Sequence, residues 1–334
     1  MSKNTQHQGG TDKMKKIWQL WLATALAAIL LTACGQEEAK PAEQNEAEDT
    51  KQAESAFPVT LTDVVDNEIT LEEAPKAIVS MVPSNTEILF GLDLGEKVVG
   101  VSDFDNYPEE ASTVEKIGGQ EFNVEKIISL NPDLVLAHES GLGVGDAGLQ
   151  QLRDAGLNVF VVKTAANFEE VYETMITIGQ ATGATAEAEE MVQTMKDEVA
   201  DIQEKASSVE TKKTVFVEIS PAPEIYTAAN NTFMNEMIEM LNAENTAADQ
   251  EGWIKMDPEE IVKRNPDVIL TTYGGYVPNA AEQVLTRVGF GTVTAVKNNA
   301  VTDVNADTTS RSGPRLTEGL LEMAKAIYPE VFSE

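Results

Sequence analysis

Fourteen consecutive residues of this chain occur twice in nearly the same form. Asn123-Val124-Glu125-Lys126-Ile127-Ile128-Ser129-Leu130-Asn131-Pro132-Asp133-Leu134-Val135-Leu136 returns as Asp257-Pro258-Glu259-Glu260-Ile261-Val262-Lys263-Arg264-Asn265-Pro266-Asp267-Val268-Ile269-Leu270, 134 positions later. Each copy opens on a helix-capping residue, Asn123 or Asp257, and carries a glutamate in the first turn and apolar residues at helical spacing. Asn-Pro-Asp then stops the helix, and a run of aliphatics follows that reads as a buried strand. A helix–turn–strand unit with one apolar face cannot stand alone. Two copies at this separation imply two similarly built lobes rather than a short-period solenoid.

The glutamate of each unit, Glu125 or Glu259, has an ordinary explanation, since an acid near a helix N-terminus is favoured by the helix dipole. Its duplication adds a second one: two lobes with an acid at the equivalent place offer a matched pair of charges to one partner.

At 334 residues the chain has room for two domains with proper cores. Its 24 Lys and Arg against 56 Asp and Glu give a net charge of −32, which repels nucleic acid and argues against a nucleic-acid role. The single cysteine, Cys34, excludes an intrachain disulfide. The histidines are His7 and His138, and His7 falls in a segment expected to be removed. A multi-histidine metal site is therefore excluded, and no metal ligand set is assigned.

Lys13, Lys15 and Lys16 precede an apolar run over residues 17–31 that ends in Leu31-Thr32-Ala33-Cys34. A basic start, a short apolar stretch and small residues describe a secretory signal over residues 1–33, with Met1 or Met14 as its start. Residues 34–56 hold no run of large aliphatics and read as an anchor point followed by a flexible acidic tether. An α/β lobe is expected over residues 57–166, with strands near residues 77–82, 97–101 and 157–162 and N-cap chemistry in Pro83-Ser84-Asn85-Thr86-Glu87. Connecting helices follow over residues 167–208. In the second of these Ala184, Ala188, Met191, Val192, Met195, Val199, Ile202 and Ala206 share one face. Its roughly 23 residues span about 35 Å, enough to reach from one lobe to the other. A second α/β lobe occupies residues 209–334, with strands near 214–219 and 300–304, a loop over 307–314 and a closing helix over 315–328. The fold class is thus α/β: two Rossmann-like lobes joined by one long rigid helix.

Catalytic chemistry finds no support. No Gly-x-Ser-x-Gly elbow occurs, and Gly141-Leu142-Gly143-Val144-Gly145-Asp146 lacks the Lys-Ser/Thr of a phosphate loop, so it reads as a flexible loop. Aromatic residues gather instead after strands: Phe104, Tyr107, Tyr226, Trp253, Tyr273 and Tyr276. Ligands of open α/β sheets lie beyond the carboxyl ends of strands, so such rings suit a cleft between lobes and a flat, partly apolar ligand. Arg311 and Arg315 are suited either to an anionic group or to surface ion pairs in so acidic a chain.

Two α/β lobes, a long connecting helix, a lipobox-like Leu31-Thr32-Ala33-Cys34 and paired glutamate units together resemble the solute-binding receptors of ABC importers for cobalamin, ferric siderophores and haem. The specific matches are Ile78-Val79-Ser80-Met81-Val82-Pro83-Ser84-Asn85-Thr86-Glu87, the stretch Ser102-Asp103-Phe104-Asp105-Asn106-Tyr107-Pro108, and Ser310-Arg311-Ser312-Gly313-Pro314-Arg315. The first two look most like the cobalamin receptors. The resemblance implies a diacylated Cys34, a lipid-anchored head on the extracytoplasmic face of the cell membrane, and capture of cargo without catalysis or a resident cofactor. It implies ligand contacts at Phe104, Tyr107, Tyr226, Trp253, Tyr273, Asp307 and Arg311, with Phe104 in place of a tyrosine and Tyr226 in place of a phenylalanine. Glu125 and Glu259 match the acids that dock onto arginines of a permease dimer, whose ATPase subunits drive uptake, while the free receptor is a monomer. Gly119 and His138 stand where the cobalamin receptors carry tryptophans, which leaves another corrinoid, haem or a siderophore open as cargo. The competing readings are an enzyme with an interlobe active site and a lipid-anchored adhesion or scaffold protein.

Overall fold

Both Asn-Pro-Asp turns end their helices in the same way. In the computed structural model, which describes residues 57–332, Asn131 and Asn265 both take the left-handed conformation at φ 48°. The aspartate two residues on ties the unit to the first sheet strand of its lobe. Asp133 Oδ2 accepts from the backbone N–H of Lys76 (2.7 Å) and Ala77 (3.0 Å), and Asp267 Oδ2 accepts from the Thr214 N–H and hydroxyl, both at 2.9 Å.

The first lobe opens with an antiparallel pair, β1 (Val59–Thr62) and β2 (Glu68–Leu71). There follow β3 (Ile78–Ser80), α1 (Pro83–Gly91), β4 (Val98–Val101), α2 (Val124–Ser129), β5 (Leu134–His138), α3 (Asp146–Asp154) and β6 (Val159–Val162). Two helices connect the lobes, α4 (Phe168–Thr182) and α5 (Thr185–Ser207), separated by Gly183 at φ 78°, a conformation that favours glycine. The second lobe holds β7 (Thr214–Glu218), β8 (Tyr226–Ala228), α6 (Phe233–Met240), β9 (Glu244–Asn245), β10 (Trp253–Lys255), α7 (Pro258–Arg264), β11 (Val268–Thr271), α8 (Ala280–Leu285), α9 (Thr294–Lys297), β12 (Val301–Asp303), α10 (Ala306–Ser310), α11 (Leu316–Ile327) and α12 (Pro329–Phe332). The parallel four-stranded sheets run β4-β3-β5-β6 and β9-β7-β11-β12. Counted along the chain, the strands of both sheets take the order second, first, third, fourth. The echoed helices α2 and α7 both precede the third strand.

Side-chain alternation divides each sheet between two cores. Leu134 and Leu136 of β5, Val215 and Val217 of β7, and Val268 and Leu270 of β11 face one continuous core shared by both lobes. Val135 and Ala137, or Phe216 and Ile269, face smaller local cores beneath α2 and α7. Met175, Met195, Val199 and Ile202 of the connecting helices fill the shared core. On α5 the buried residues are Ala188, Val192, Met195, Val199, Ile202 and Ala206, the face expected from the sequence. Along this edge the two lobes and the connector meet: a Cβ on Gly91 of α1 would fall 2.7 Å from Met191 Cε of α5 and 3.9 Å from Pro314. A side chain there would have to push the Met191 methyl aside.

Four local expectations are corrected. The capping chemistry expected at residues 83–87 is absent: α1 starts at Pro83 with no side-chain cap, and Asn85 donates instead to the carbonyls of Leu136 (3.4 Å) and Ala137 (3.2 Å) on β5. Asn123 caps α2 by accepting from Lys126 N–H at 2.9 Å, whereas the Asp257 side chain makes no cap bond on α7, where Pro258 already presets the helical φ. The expected loop over 307–314 contains α10, capped by Asn305 accepting from Asp307 N–H at 2.9 Å. The stretch over 141–146 is not all loop, since Asp146 opens α3 and accepts from Gly143 N–H at 2.9 Å. The expected signal segment, Cys34 and the tether lie outside the described residues. No helix among the described residues is long and apolar enough to cross a membrane.

Candidate ligand-binding cleft

Among the described residues, the exposed aromatic rings are Phe104, Tyr107, Tyr226, Trp253 and Tyr276, 41–69 % accessible, and all follow strands of the two sheets. On the second lobe, β8 and β10 pair antiparallel with Trp253 opposite Ala228 and Lys255 opposite Tyr226. Opposed residues share a face, so the Trp253 and Tyr226 rings stand diagonally on the same side of this two-stranded ribbon. Phe233 buttresses Trp253 edge-on, with ring centroids 6.0 Å apart at 63°.

On the first lobe, Phe104 lies over Gly119, where a Cβ would fall 3.1 Å from the ring. Its loop is built around Asp105, which is buried. Asp105 Oδ2 accepts from the Ser102 hydroxyl at 2.5 Å, and Ser102 Oγ accepts from Phe104 N–H at 3.3 Å. Lys116 Nζ donates to the carbonyls of Ser102 (3.1 Å) and Asp105 (2.9 Å). Asp105 Oδ1 has no protein partner, and burial pushes this carboxyl above its usual range while the Ser102 hydroxyl opposes the shift.

The lobes are bonded directly to each other beside these rings. Glu87 on α1, fully buried, accepts from Arg315 Nε (3.0 Å) and Nη2 (2.7 Å) and from Arg311 Nη1 (2.8 Å). The Arg315 guanidinium stacks 3.8 Å from the centroid of the Tyr107 ring. Asn106 completes the crossing, donating to Asp307 at 2.8 Å and accepting from Arg311 at 2.8 Å, while Arg311 also pairs with Asp307 at 2.8 Å. Of the two roles left open for these arginines, ion pairing is the one seen, and the pairs to Glu87 are shielded and cross between lobes rather than lying on the surface.

The predicted ligand residues do not all share this setting. Tyr107, Asp307 and Arg311 are brought together by the interlobe contacts, Phe104 lies on the same loop as Tyr107 but packs on Gly119, and Tyr226 and Trp253 are joined by the β8–β10 ribbon. Tyr273 departs from its expected place. It is buried, with its hydroxyl donating to Glu218 Oε1 at 2.6 Å, and Arg287 holds the same carboxylate through bonds of 2.6 and 2.8 Å. Glu218 ends β7 with no access to water, and such a charge requires donors around it. Burial first, then Glu218, raises the Tyr273 pKa, so its phenol keeps its proton. Tyr276, three residues on, is the ring left exposed. His138, half-buried at the end of β5, has its pKa lowered by burial.

Glu125 and Glu259 are both exposed and enter no hydrogen bond or ion pair among the described residues. Their chain neighbours do: Lys126 pairs with Glu115 at 2.7 Å, and Glu260 with Arg264 at 3.0 Å. A helix that crosses between parallel strands runs back along the sheet, so each acid opens its helix at the carboxyl end of its sheet, the end that bears the exposed rings.

Sequence reasoning gave no role to Glu87 or Asn106. The available signal was an acid inside an otherwise apolar helix, Glu87-Ile88-Leu89-Phe90, which demands a countercharge.

Residues 78–308 match the model of the family described as periplasmic binding protein. The chain is 48% identical over 323 residues to an uncharacterized ABC transporter substrate-binding lipoprotein of Bacillus subtilis, covering 96% of this chain and 100% of the relative. It is 32% identical over 282 residues to a cobalamin-binding protein of Halobacterium salinarum, covering 82% of this chain and 75% of the relative. Among solved structures, a possible iron-binding (periplasmic solute-binding) protein from Staphylococcus epidermidis superposes with a TM-score of 0.71 at 39% identity, over 77% of this chain and 100% of that one. The family match over residues 78–308 and the near full-length similarity lead to one conclusion: the chain belongs to the periplasmic binding protein family and is a substrate-binding protein of an ABC transporter, not an enzyme.

Proposed function

We propose that this protein captures a cobalamin-like corrinoid outside the cell membrane, to which Cys34 tethers it through lipid, and hands the cargo unchanged to an ABC-importer permease. The observation that carries the choice of cargo is the combination of exposed rings with arginines that are all ion-paired. Rings on both lobes offer apolar faces to a flat macrocycle. All five arginines, each within the described residues, are ion-paired with acids: Arg153, Arg264, Arg287, Arg311 and Arg315. No guanidinium stands unpaired for the carboxylates of a haem or the negative charge of a catecholate siderophore. A corrin rim bears neutral amides and needs none. The similarity to the cobalamin-binding protein of Halobacterium salinarum supports the same reading.

Delivery follows from the paired acids. Glu125 and Glu259, one per lobe and unengaged, suit two basic sites on a permease dimer whose ATPase subunits power uptake, and the free receptor is a monomer. A ferric siderophore or haem is the second reading, favoured by the Staphylococcus epidermidis neighbour.

The test uses intrinsic fluorescence. Trp253 is the only tryptophan after Trp18 and Trp21, so a protein beginning at Cys34 has a single emitter. Titration with aquocobalamin should quench it saturably and more strongly than ferric haem or a ferric siderophore. A reversed ranking moves the assignment to iron cargo, and no quenching by any of the three overturns the cleft.

A further inference from the structure

The first N–H of α4 is not met by the helix's own cap. Asn167 accepts from Glu170 N–H at 2.9 Å, and Glu170 in turn accepts from Ala166 N–H at 2.7 Å and from Lys163 Nζ at 2.8 Å. The N–H of Phe168, one of the donors that a helix leaves open at its start, goes instead to a residue 68 positions later, Glu236 Oε2 of α6, at 2.8 Å. This bond ties the second lobe to the first turn of the connecting helices. The run into α4 is itself held to the first lobe, where Thr164 N–H donates to Glu139 at 2.7 Å.

An acid is an unfavourable acceptor at this place. Glu236 is half-buried, and no cation pairs with it among the described residues; Lys196, the cation over the Tyr172 ring, pairs with Glu169 at 3.7 Å. Burial raises the Glu236 pKa against the pull of the Phe168 N–H, and Glu239 adds to the rise. The positive end of the α4 dipole therefore offsets only part of the cost of shielding this carboxylate from water. What the bond secures is geometric. Phe233 lies three residues earlier on α6, so the two side chains share a helical face. Phe233 is also the ring that buttresses Trp253, with centroids 6.0 Å apart at 63°. One helical turn thus connects the bond at α4 to the exposed ring of the β8–β10 ribbon.

We propose that Glu236 is a positioning residue for Trp253: its bond to α4 registers α6, and through Phe233 the Trp253 ring, against the connecting helices. A displacement of the second lobe relative to α4 is then felt at the ring. The effect on cargo affinity rests on the reading that the rings of the ribbon meet the cargo; the placement of the ring does not.

A protein beginning at Cys34 has Trp253 as its single tryptophan, so the ring can be followed directly. Alanine is a good helix former, so α6 persists in Glu236→Ala. In the free protein this variant should shift the Trp253 emission maximum and change its quenching by acrylamide. Its affinity for aquocobalamin should be about 3- to 10-fold weaker, the equivalent of one hydrogen bond. Glu236→Gln keeps an oxygen acceptor without the charge and should restore both readouts. Phe233→Leu interrupts the relay, so adding Glu236→Ala to it should change neither emission nor affinity further. A purely structural role would lower the urea midpoint of Glu236→Ala with emission and affinity untouched, and that outcome overturns the proposal. Additive losses in the double variant overturn it too, as does a Glu236→Gln protein that behaves like Glu236→Ala. If neither aquocobalamin nor ferric haem nor a ferric siderophore quenches Trp253 in the wild type, the cleft reading alone fails, because the emission of the free variants still decides the placement of the ring.

Discussion

Arg315 and Glu87 come from opposite lobes and are joined by two parallel hydrogen bonds, Nε to Oε2 at 3.0 Å and Nη2 to Oε1 at 2.7 Å. Burial works against the Arg315 charge, and the Glu87 carboxylate outweighs it, holding the guanidinium above its ordinary pKa. Glu87→Ala would leave two guanidinium groups facing each other in a shielded site. The expected loss is about 3–5 kcal/mol of unfolding free energy, the usual cost of removing one partner from a buried ion pair. Urea denaturation reads this directly, and a loss below about 1 kcal/mol, the range of surface pairs, would show that the clasp does not brace the lobes.

The paired acids should separate docking from capture. Glu125→Ala with Glu259→Ala is expected to abolish uptake in reconstituted vesicles while leaving cargo affinity unchanged. Each single substitution should cost about 2–5 kcal/mol of docking if its charge pair becomes buried at the interface. Weakened cargo binding in the double variant would contradict the division of labour.

Asp105 gives a pH signature. Its folded pKa lies above the ordinary carboxylate value through burial, so between those two values the folded protein holds more protons than the unfolded one. The Asp105 contribution to stability therefore rises as pH falls through that window and is lowest above it. Wild-type stability relative to Asp105→Asn should increase on going from neutral pH toward about pH 4. A pH-independent difference in denaturation midpoints would contradict the assignment.

Gly119 and Phe104 should behave as one unit. A side chain at 119 enters the space of the Phe104 ring, so Gly119→Trp must displace that ring. Phe104→Ala is then expected to cost less cargo affinity in the Gly119→Trp background than in the wild type, with a coupling of about 0.5–3 kcal/mol. Additive effects in this cycle would mean the two positions serve separate surfaces.

The sequence reading captured the architecture because its signals were local. The Asn-Pro-Asp turns, the aliphatic strands and the apolar face of α5 each depend on residues a few positions apart, and the duplicated unit gave the number of lobes. What it missed depends on distant partners. The bonds from Arg311 and Arg315 to Glu87 join residues 224 and 228 positions apart. Tyr273 reads as a ligand ring because it follows a strand. What withdraws it is the buried carboxylate of Glu218, 55 residues earlier. The β8–β10 ribbon was unreadable for another reason: at three residues each, its strands are too short for a period to emerge. The exposed rings were legible because aromatics gather after strands, the same signal that swept in Tyr273.

Met191 of α5, Gly91 of α1 and Pro314 meet beside the Glu87 clasp, so the covalent link and the ionic fastening of the lobes lie along one edge. A body stitched twice on the same side has a single soft direction, a small splay of the opposite margin. Relative movement of the lobes is therefore expected at the opposite margin, where neither fastening holds them.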